Sequence, residues 1–284
     1  MPRKRFEWKI RDASLVLGDR TLIVGVLNVT PDSFSDGGQY LDPDRAFARA
    51  IELEEEGADI IDIGAESTRP GSVRVSEAEE LRRLVPVLKR LKGKVAAFIS
   101  VDTYKAAVAD KALELGASIV NDPSGLTFDP ELARAAMRGG AGLILNHMRG
   151  TPETWAKLPP LKDVIRTIGT DLDAAAHRAV RAGLDRRQLV ADPGLGFGKR
   201  KEQNFTILAH LNELSRLELP LMAGPSRKHF VSNETPEQTE FGTAAAVTAA
   251  ILNGAHLVRV HDVKAMKPAV EVADEIARAS EEAV

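Results

Sequence analysis

The stretch VGVLNVTPDSFSDGGQY, Val24 to Tyr40, contains the pattern from which the fold follows. An apolar run leads into Asn28 and then changes to a loop of Thr, Pro, Asp, Ser and Gly around one aromatic residue, Phe34. A short apolar run of this kind, bounded by turn residues, predicts a buried β-strand. The same arrangement, an apolar run with a polar end, recurs along almost the whole chain.

Amphipathic stretches rich in Ala, Leu, Glu and Arg separate these runs, which is the pattern of repeated βα units. We expect strands at Leu22–Asn28, Asp59–Ile63, Val95–Asp102, Ser118–Asn121, Gly142–His147, Gln188–Asp192, Leu219–Gly224 and His256–His261. Helices are expected to begin near Pro43, Ser76, Thr103, Asp129, Leu161, Lys201, Thr239 and Val263, several of them at capping or first-turn residues.

Eight strands in strict alternation with eight helices predict an α/β fold, a (β/α)8 TIM barrel, with a doubly wound open sheet as the alternative. The length of 284 residues would also allow two domains. No linker separates two halves, so we expect one domain spanning residues 1–284. The residues before Leu22, FEWKIRDASLVLGDR, predict an additional N-terminal β-hairpin that covers the floor of the barrel.

Charge and composition narrow the class of ligand. A formal net charge of −3 and a pI of about 6.1 provide no general attraction to nucleic acid or to anionic membranes. The chain contains no cysteine, has no apolar run of membrane-spanning length, and opens on a basic segment that charges interrupt early. We therefore expect a cytoplasmic protein that acts on small molecules, without a dedicated zinc site, since the histidines have no metal-binding spacing.

Polar residues end almost every predicted strand. One polar strand end is explained by helix capping alone, but the carboxyl ends of all barrel strands meet at one mouth, where the active sites of such barrels lie. Together they supply carboxylates, amides, an ammonium, guanidinium groups and an imidazole. The residues are Asn28, Asp102, Asn121, His147, Asp192, Ser226, Arg227, Lys228, Arg259 and His261. Convergent polar groups of this kind indicate a ligand site.

The charges at the mouth divide into two sides. Asp102, Asn121 and Asp192, on the third, fourth and sixth strands, form a side rich in hydrogen-bond acceptors. Donors lie on the seventh, eighth and first strands, which are neighbours once the barrel closes and which commonly hold phosphate. These donors are Lys228, Arg259, His261 and Asn28. The expected ligand therefore has N–H donors at one end and phosphates at the other, and Asn28 could supply an oxygen to Mg²⁺.

Two loop motifs leave their function open at this point. DPGLGFGKR, Asp192 to Arg200, matches neither the dinucleotide fingerprint nor the P-loop, so its glycines indicate a tight turn beneath a ligand or a purely structural turn. ESTRPGS, Glu66 to Ser72, could bind an anion through Ser, Thr and Arg, or could be a solvated turn.

Five segments together resemble the dihydropteroate synthase family: LNVTPDSFSDGG, DIGAESTRPG, SVDTYK, VADPGLGFGK and GPSRK, supported by VND at Val120–Asp122 and RVHDV at Arg259–Val263. They occur in order from the first strand to the eighth. The resemblance implies a TIM-barrel transferase of folate biosynthesis that joins 6-hydroxymethyl-7,8-dihydropterin pyrophosphate to p-aminobenzoate in the presence of Mg²⁺. It also implies a homodimer and a target of sulfonamides.

The resemblance also assigns roles to residues. Asp102, Asn121 and Asp192 would bind the aminopyrimidinone edge of the pterin, and Lys228 its oxygen or ring nitrogen. The pyrophosphate would be held by Arg259, His261 and Asn28, with Asn28 also reaching Mg²⁺. For p-aminobenzoate the implied contacts are the apolar Phe34, Pro70 and Phe197 and the polar Thr68 and Ser226, with Asp36 as a candidate acceptor of the amine's proton. Arg69 and Arg227 are further substrate-binding residues.

Two positions depart from the family pattern, and two other functions compete. Asn146 stands where the family often has methionine, and Pro225 where an aromatic or small residue is common. A methyltetrahydrofolate-dependent methyltransferase would share the acidic pterin side but has no use for the donor cluster. A barrel that binds pterin without catalysis is the second competitor, against which the retained Asn28, Asp36, Arg69 and Lys228 argue.

Overall fold

The computed structural model describes residues 3–30, 42–69 and 71–282. A hairpin of β1 and β2 precedes eight barrel strands and eight α-helices in this part of the chain. The strands are β1 Phe6–Ile10, β2 Ala13–Leu17, β3 Leu22–Asn28, β4 Ile60–Gly64, β5 Phe98–Asp102, β6 Ile119–Asp122, β7 Gly142–Asn146, β8 Leu189–Asp192, β9 Met222–Ala223 and β10 Leu257–Val260. The helices are α1 Pro43–Glu56, α2 Glu77–Leu91, α3 Ala106–Glu114, α4 Leu132–Arg138, α5 Val164–Arg181, α6 Lys201–Ala209, α7 Pro236–Leu252 and α8 Val263–Glu282.

The eight strands from β3 to β10 form one parallel sheet that curls into a barrel. Their order is β8-β7-β6-β5-β4-β3-β10-β9, and β10 pairs with β3, so the last strand lies beside the first. Between β8 and β9 the barrel is joined by a single bridge from Ala191 to Leu221, where the Ala191 amide donates to Pro220 at 2.9 Å. The predicted TIM barrel is confirmed, and the open-sheet alternative is wrong.

The N-terminal hairpin closes the floor of the barrel, as predicted. Trp8, Ile10 and Leu17 belong to a buried cluster with side chains that point into the barrel from its strands, among them Val24 and Ile144. The indole of Trp8 also donates a hydrogen bond of 2.9 Å to the carbonyl of Gln188. Burial of three large side chains makes the hairpin part of the core.

A glycine makes room for this indole. A Cβ placed on Gly142, the first residue of β7, would lie 2.9 Å from Cζ2 of Trp8. That is closer than real Cβ atoms come to a neighbour, so β7 must begin with glycine if the hairpin is to pack here.

Four helices begin three residues from the predicted position. Helix α5 begins at Val164 rather than near Leu161, since Asp163 caps it. Asp129 lies before α4, where its Oδ1 accepts from the amide of Glu131 at 3.0 Å, and its Oδ2 accepts from the amide of Ala106 at 2.8 Å, so it also caps α3. Thr103 accepts from the amide of Lys105 at 3.2 Å, ahead of α3. Helix α7 begins at Pro236 rather than near Thr239, since Thr235 caps it and proline fits its first turn.

Two strands are shorter than predicted by three residues or more. β5 begins at Phe98 rather than Val95, because the amides of Ala96 and Ala97 both donate to Glu54 of α1 at 2.6 Å instead of to a strand. β9 is reduced to Met222 and Ala223. In the described ranges, no helix has both the length and the apolar character needed to cross a membrane.

Candidate active site

Arg259 lies at the centre of the barrel mouth. It projects from β10, and its Nε donates to Oδ2 of Asp62 at 2.7 Å while its Nη2 donates to Oδ2 of Asp102 at 2.8 Å. The amide of Asn121 donates to the same oxygen of Asp62 at 2.9 Å. Strands β4, β5, β6 and β10 thus contribute to one hydrogen-bonded cluster, which contains three of the predicted site residues.

Asp62 is the residue of this cluster that the sequence reasoning missed. It is fully buried in β4, and its second oxygen, Oδ1, has no hydrogen-bond partner. The available signal was a carboxylate inside the apolar run IIDIG, Ile60–Gly64, because aspartate is seldom buried without a partner. Asp62 fixes the orientation of Arg259 and Asn121 from below.

Burial changes the protonation of the acceptor side. It raises the pKa of Asp102 to about 7, outweighing the opposite effect of the Arg259 charge. Burial likewise raises the pKa of Asp192, against the charge of Lys228. Both carboxylates lack the hydration that would stabilise their charge, and N–H donors of a ligand would replace it.

Asn28 lies at the end of β3, half-buried, beside the acceptor side. Its backbone is paired with Gly64 on β4, and Gly64 is paired with Asp102 on β5. A Cβ on Gly64 would stand 3.5 Å from Oδ1 of Asn28 and 3.6 Å from Cβ of Asp102. The missing side chain leaves the Asn28 amide and the Asp102 carboxylate facing a common space.

Lys228 connects the donor side to the glycine-rich loop. Its ammonium donates to the carbonyl of Leu195 and lies 4.3 Å from the ring centroid of Phe197. Burial lowers the pKa of Lys228 to about 8, although Asp192 opposes this effect. Asp192 itself accepts from the amide of Gly194 at 2.7 Å. The structure therefore brings the predicted Lys228, Asp192 and Phe197 together.

His261 and Ser226 form a second pair at the mouth. Oγ of Ser226 lies 3.0 Å from Nδ1 of His261, and the His261 amide donates to the same hydroxyl at 3.2 Å. Burial and then the charge of Arg259 lower the pKa of His261 to about 3. The ring is neutral at pH 7, so it can offer a phosphate one N–H donor but no charge.

Arg227 lies between these two groups and turns away from them. Its backbone has a φ of 55°, the left-handed conformation that residues other than glycine seldom adopt. Its guanidinium donates to Glu240 on α7 at 2.5 Å. The turn lets Ser226 and Lys228 both reach the mouth while Arg227 pairs outside it.

The loop after β4 holds two further predicted residues. Thr68 lines a small cavity with Tyr104, Phe128, Met148 and other residues of neighbouring loops. Arg69 is exposed, and its charge adds to the lowering of the pKa of His261 that burial begins. Phe34, Asp36 and Pro70 lie outside the described residues.

His147 does not join the cluster around Arg259. Its Nε2 lies 3.0 Å from Oδ2 of Asp171 on α5, and burial lowers its pKa to about 4. Asn146, next to it, donates to the carbonyl of Pro123 at 3.0 Å and has an unpaired Oδ1. Asn146 is the last residue of β7, and its side chain is buried.

The glycine-rich loop is a packed turn rather than an anion cradle. Gly194 has a φ of 67°, and a Cβ there would overlap the carbonyl of His147. Lys199 is buried and donates to the carbonyls of His147 at 2.9 Å and Gly194 at 2.6 Å. Lys199, the lysine that makes this loop look like a P-loop, therefore donates to backbone oxygens. The loop also carries Phe197 and provides the Leu195 carbonyl that accepts from Lys228.

The chain is similar to known proteins over most of its length. A family model described as pterin binding enzyme matches residues 24–261. The dihydropteroate synthase of Synechocystis is 44% identical over 265 residues, which is 92% of each chain. That of Bacillus subtilis is 42% identical over 257 residues, 89% of this chain and 88% of its own.

Solved structures give the same result. A dihydropteroate synthase from Yersinia pestis, in a complex with a sulfonamide drug, superposes with a TM-score of 0.91 at 40% identity over 96% of this chain and 100% of its own. One from Xanthomonas albilineans with 4-aminobenzoic acid has a TM-score of 0.86 at 40% identity, over 95% of this chain and 98% of its own.

Proposed function

This chain belongs to the dihydropteroate synthases, pterin-binding transferases of folate biosynthesis, and on that premise we propose how its residues share the work. The reaction joins 6-hydroxymethyl-7,8-dihydropterin pyrophosphate to p-aminobenzoate and releases 7,8-dihydropteroate and pyrophosphate. The relatives support this function over the methyltransferase and the non-catalytic barrel.

The single observation that carries the assignment of residues is the cluster of buried acceptors around Arg259. Asp102, Asn121 and Asp192 come from separate strands, and burial raises the pKa of both carboxylates, so further N–H donors would stabilise their charged forms. The amino group and ring N–H groups of a pterin are paired donors that such carboxylates accept. We assign the pterin edge to these three residues, with Lys228 on its oxygen or ring-nitrogen side.

The pyrophosphate is assigned to Arg259, His261 and Asn28. Arg259 uses two of its N–H groups on Asp62 and Asp102, so its other donors remain for phosphate oxygens, in an orientation that the two carboxylates fix. The reaction breaks a C–O bond at a methylene next to an electron-rich ring, and the developing negative charge belongs to pyrophosphate. Donors placed in advance around that charge are the main catalytic contribution.

The amine of p-aminobenzoate then attacks the pterin-stabilised carbon. Phe197 and Ser226 stand beside Lys228 and His261, where a ring and a carboxylate would enter. Thr68 and Arg69 approach from the β4–α2 loop. The roles of Phe34 and Pro70 as apolar walls, of Asp36 as proton acceptor, and of Arg227 in substrate binding stay predictions from the family resemblance.

Mg²⁺ fits the donor set only in part through protein atoms. Within the described residues, no group of three His, Asp or Glu side chains is arranged to hold a metal ion. Asn28 offers one hard amide oxygen toward the space that the pyrophosphate would occupy, and phosphate oxygens would supply further ligands. When bound, the ion would neutralise charge on the departing pyrophosphate.

A homodimer is supported by apolar side chains left exposed on consecutive helices. They are Phe205 on α6, Phe241 and Leu252 on α7, and Val272 and Ile276 on α8. Clusters of exposed apolar residues mark protein interfaces, and a symmetric pair of these helices would cover them. The cytoplasmic location stays a prediction.

The test of the function is a pyrophosphate-release assay. Release should require both substrates and Mg²⁺, and dihydropteroate should form in equal amount. Binding of the pterin ester without any turnover in the complete mixture would instead show a pterin-binding protein without catalysis.

A further inference from the structure

Glu66 joins the two ends of the β4–α2 loop to the neighbouring strand. It lies two residues after the end of β4, and its carboxylate accepts from Oη of Tyr104 at 2.8 Å and from the ammonium of Lys105. The amide of Val75, at the far end of the same loop, donates to Glu66 at 3.3 Å. One side chain therefore closes the base of the loop and ties it to the residues that follow β5.

The ammonium of Lys105 is shared between two carboxylates with different positions. It contacts Glu66 and also Oε2 of Glu80 at 2.5 Å, and both Lys105 and Glu80 are buried. Glu80 belongs to helix α2, behind the loop. A buried ion pair holds its members in a narrow geometry because neither partner can exchange with water. The loop is thus attached to the core through Glu66, whereas Glu80 anchors the lysine.

Further contacts hold the loop along its length. The guanidinium of Arg74 lies 4.1 Å from the ring centroid of Phe128 and 5.3 Å from that of Tyr104. Oγ of Ser72 donates to the carbonyl of Ser67 at 2.7 Å, which narrows the loop. These contacts leave Thr68 and Arg69 at the part of the loop that the base positions.

We propose that Glu66 is a positioning residue for p-aminobenzoate: held by Tyr104 and Lys105, it sets where Thr68 and Arg69 stand at the mouth. The inference rests on the proposed function, which assigns those two residues to the p-aminobenzoate side. The carboxylate of Glu66 accepts from Tyr104, Lys105 and Val75, so it acts through the loop rather than on a substrate. Its effect should therefore fall on the second substrate and spare the pterin ester, whose assigned residues lie on other strands.

The test compares Glu66→Gln with Glu80→Gln. Each variant removes one of the two carboxylates that pair with Lys105. Glu66→Gln changes the β4–α2 loop, whereas Glu80→Gln changes helix α2. We expect Glu66→Gln to raise the KM for p-aminobenzoate about tenfold, the order expected for losing one charge-assisted contact, with the Kd of the pterin ester unchanged. Glu80→Gln should lower the melting temperature without changing that KM.

Tyr104→Phe is a milder second variant, in case Glu66→Gln folds poorly. It removes one donor to Glu66 and keeps the ring against Phe128. We expect the KM for p-aminobenzoate to rise in the same direction by a smaller factor, with the melting temperature close to that of the wild type.

Hydrogen exchange provides a readout that does not depend on turnover. The amides of residues 67–69 and 71–75 should exchange faster in Glu66→Gln than in the wild type, and Glu80→Gln should not share this change. Equal effects of the two variants on KM and on exchange, or an unchanged loop in Glu66→Gln, would overturn the proposal. If the wild-type protein made no dihydropteroate, the proposed function would fail while the exchange result still decided whether Glu66 positions the loop.

Discussion

Arg259 has two partners in the protein and is assigned a third in the substrate, so its structural and substrate-binding roles coincide in one side chain. Asp62, fully buried, depends on Arg259 for a charged partner. Removing one member of a buried ion pair is costly because the other is left uncompensated. A simple truncation would therefore change stability and affinity together, and the two effects need separate measurements.

We predict that Arg259→Lys weakens binding of the pterin pyrophosphate ester about 10- to 100-fold, because a lysine lacks the fork that can contact carboxylates and phosphate together. Binding of the dephosphorylated hydroxymethyl pterin should fall much less. Calorimetry with both ligands measures the difference. Arg259→Ala is the control for stability and should melt at a lower temperature than Arg259→Lys. Equal losses for the two ligands in Arg259→Lys would contradict the phosphate assignment.

At the scale of single elements, the two ends of the barrel carry different tasks. The hairpin β1–β2 fills the floor with Trp8, Ile10 and Leu17, far along the strands from the mouth. The carboxyl ends of the strands and the loops that follow them carry the site residues instead. Substitutions in the hairpin should therefore affect stability, and substitutions in the mouth loops should affect one substrate at a time.

Trp8→Ala is expected to lower the free energy of unfolding by about 3–5 kcal/mol, the usual cost of deleting a fully buried large aromatic side chain. The KM values should stay near those of the wild type at temperatures well below melting. Val16→Ala, on the exposed side of the same hairpin, is the matched control and should change stability by less than about 0.5 kcal/mol. Urea denaturation with steady-state kinetics checks both variants. An altered KM for the pterin ester in a folded Trp8→Ala enzyme would contradict the separation of stability at the floor from substrate binding at the mouth.

Phe34→Ala tests the loop after β3. We expect the affinity for the pterin ester to be nearly unchanged and the KM for p-aminobenzoate to rise, because loss of an aromatic wall removes about one to three kcal/mol of apolar contact. Sulfonamides should weaken in parallel. Kinetics with each substrate varied, together with a melting curve, make the measurement. A destabilised enzyme with an unaltered p-aminobenzoate KM would show that Phe34 packs in the core instead.

At the scale of the whole molecule, ionisation at the mouth is coupled to folding. Burial raises the pKa of Asp102 to about 7, above the value of about 4 expected in the unfolded chain. Between these values the folded protein binds more protons than the unfolded one, so the free energy of unfolding contributed by this group falls as pH rises.

The wild type should therefore lose stability relative to Asp102→Asn between about pH 4 and pH 7, and the difference should level off above that range. Asparagine imitates the neutral acid and does not titrate, and all other groups are common to both proteins. Urea denaturation of the ligand-free proteins at several pH values measures the difference. A difference that stays constant across this range would show that Asp102 is ionised throughout.

Phe241→Glu is expected to convert the proposed homodimer into monomers, because a charge would enter the apolar face of α6–α8. Phe241 is 67% exposed in the single chain. Met137→Glu, on α4, is the control and should leave the assembly unchanged. Light scattering after gel filtration measures the mass of each assembly. A wild-type protein that is monomeric at all concentrations would contradict the proposed homodimer.

The alternation of apolar runs and amphipathic stretches was sufficient to predict the barrel, because strand burial and helix periodicity are local properties of the chain. Boundaries were less accurate where a side chain serves another element. Asp129 looked like the start of α4 and caps α3, while β5 is shortened because Glu54 takes its first amides. Such exchanges depend on neighbours that lie far away in sequence.

The sequence by itself determined that polar strand ends would meet at one mouth, since every parallel strand ends on the same side of the barrel. Only the tertiary structure decided which of them touch. Asp62 belongs to the cluster because it accepts hydrogen bonds from Arg259 and Asn121. His147 contacts Asp171 instead of the cluster, and Lys199 donates to backbone carbonyls. Hydrogen bonds and burial depend on distances across the barrel, and those distances are set by packing of the complete fold rather than by any local pattern.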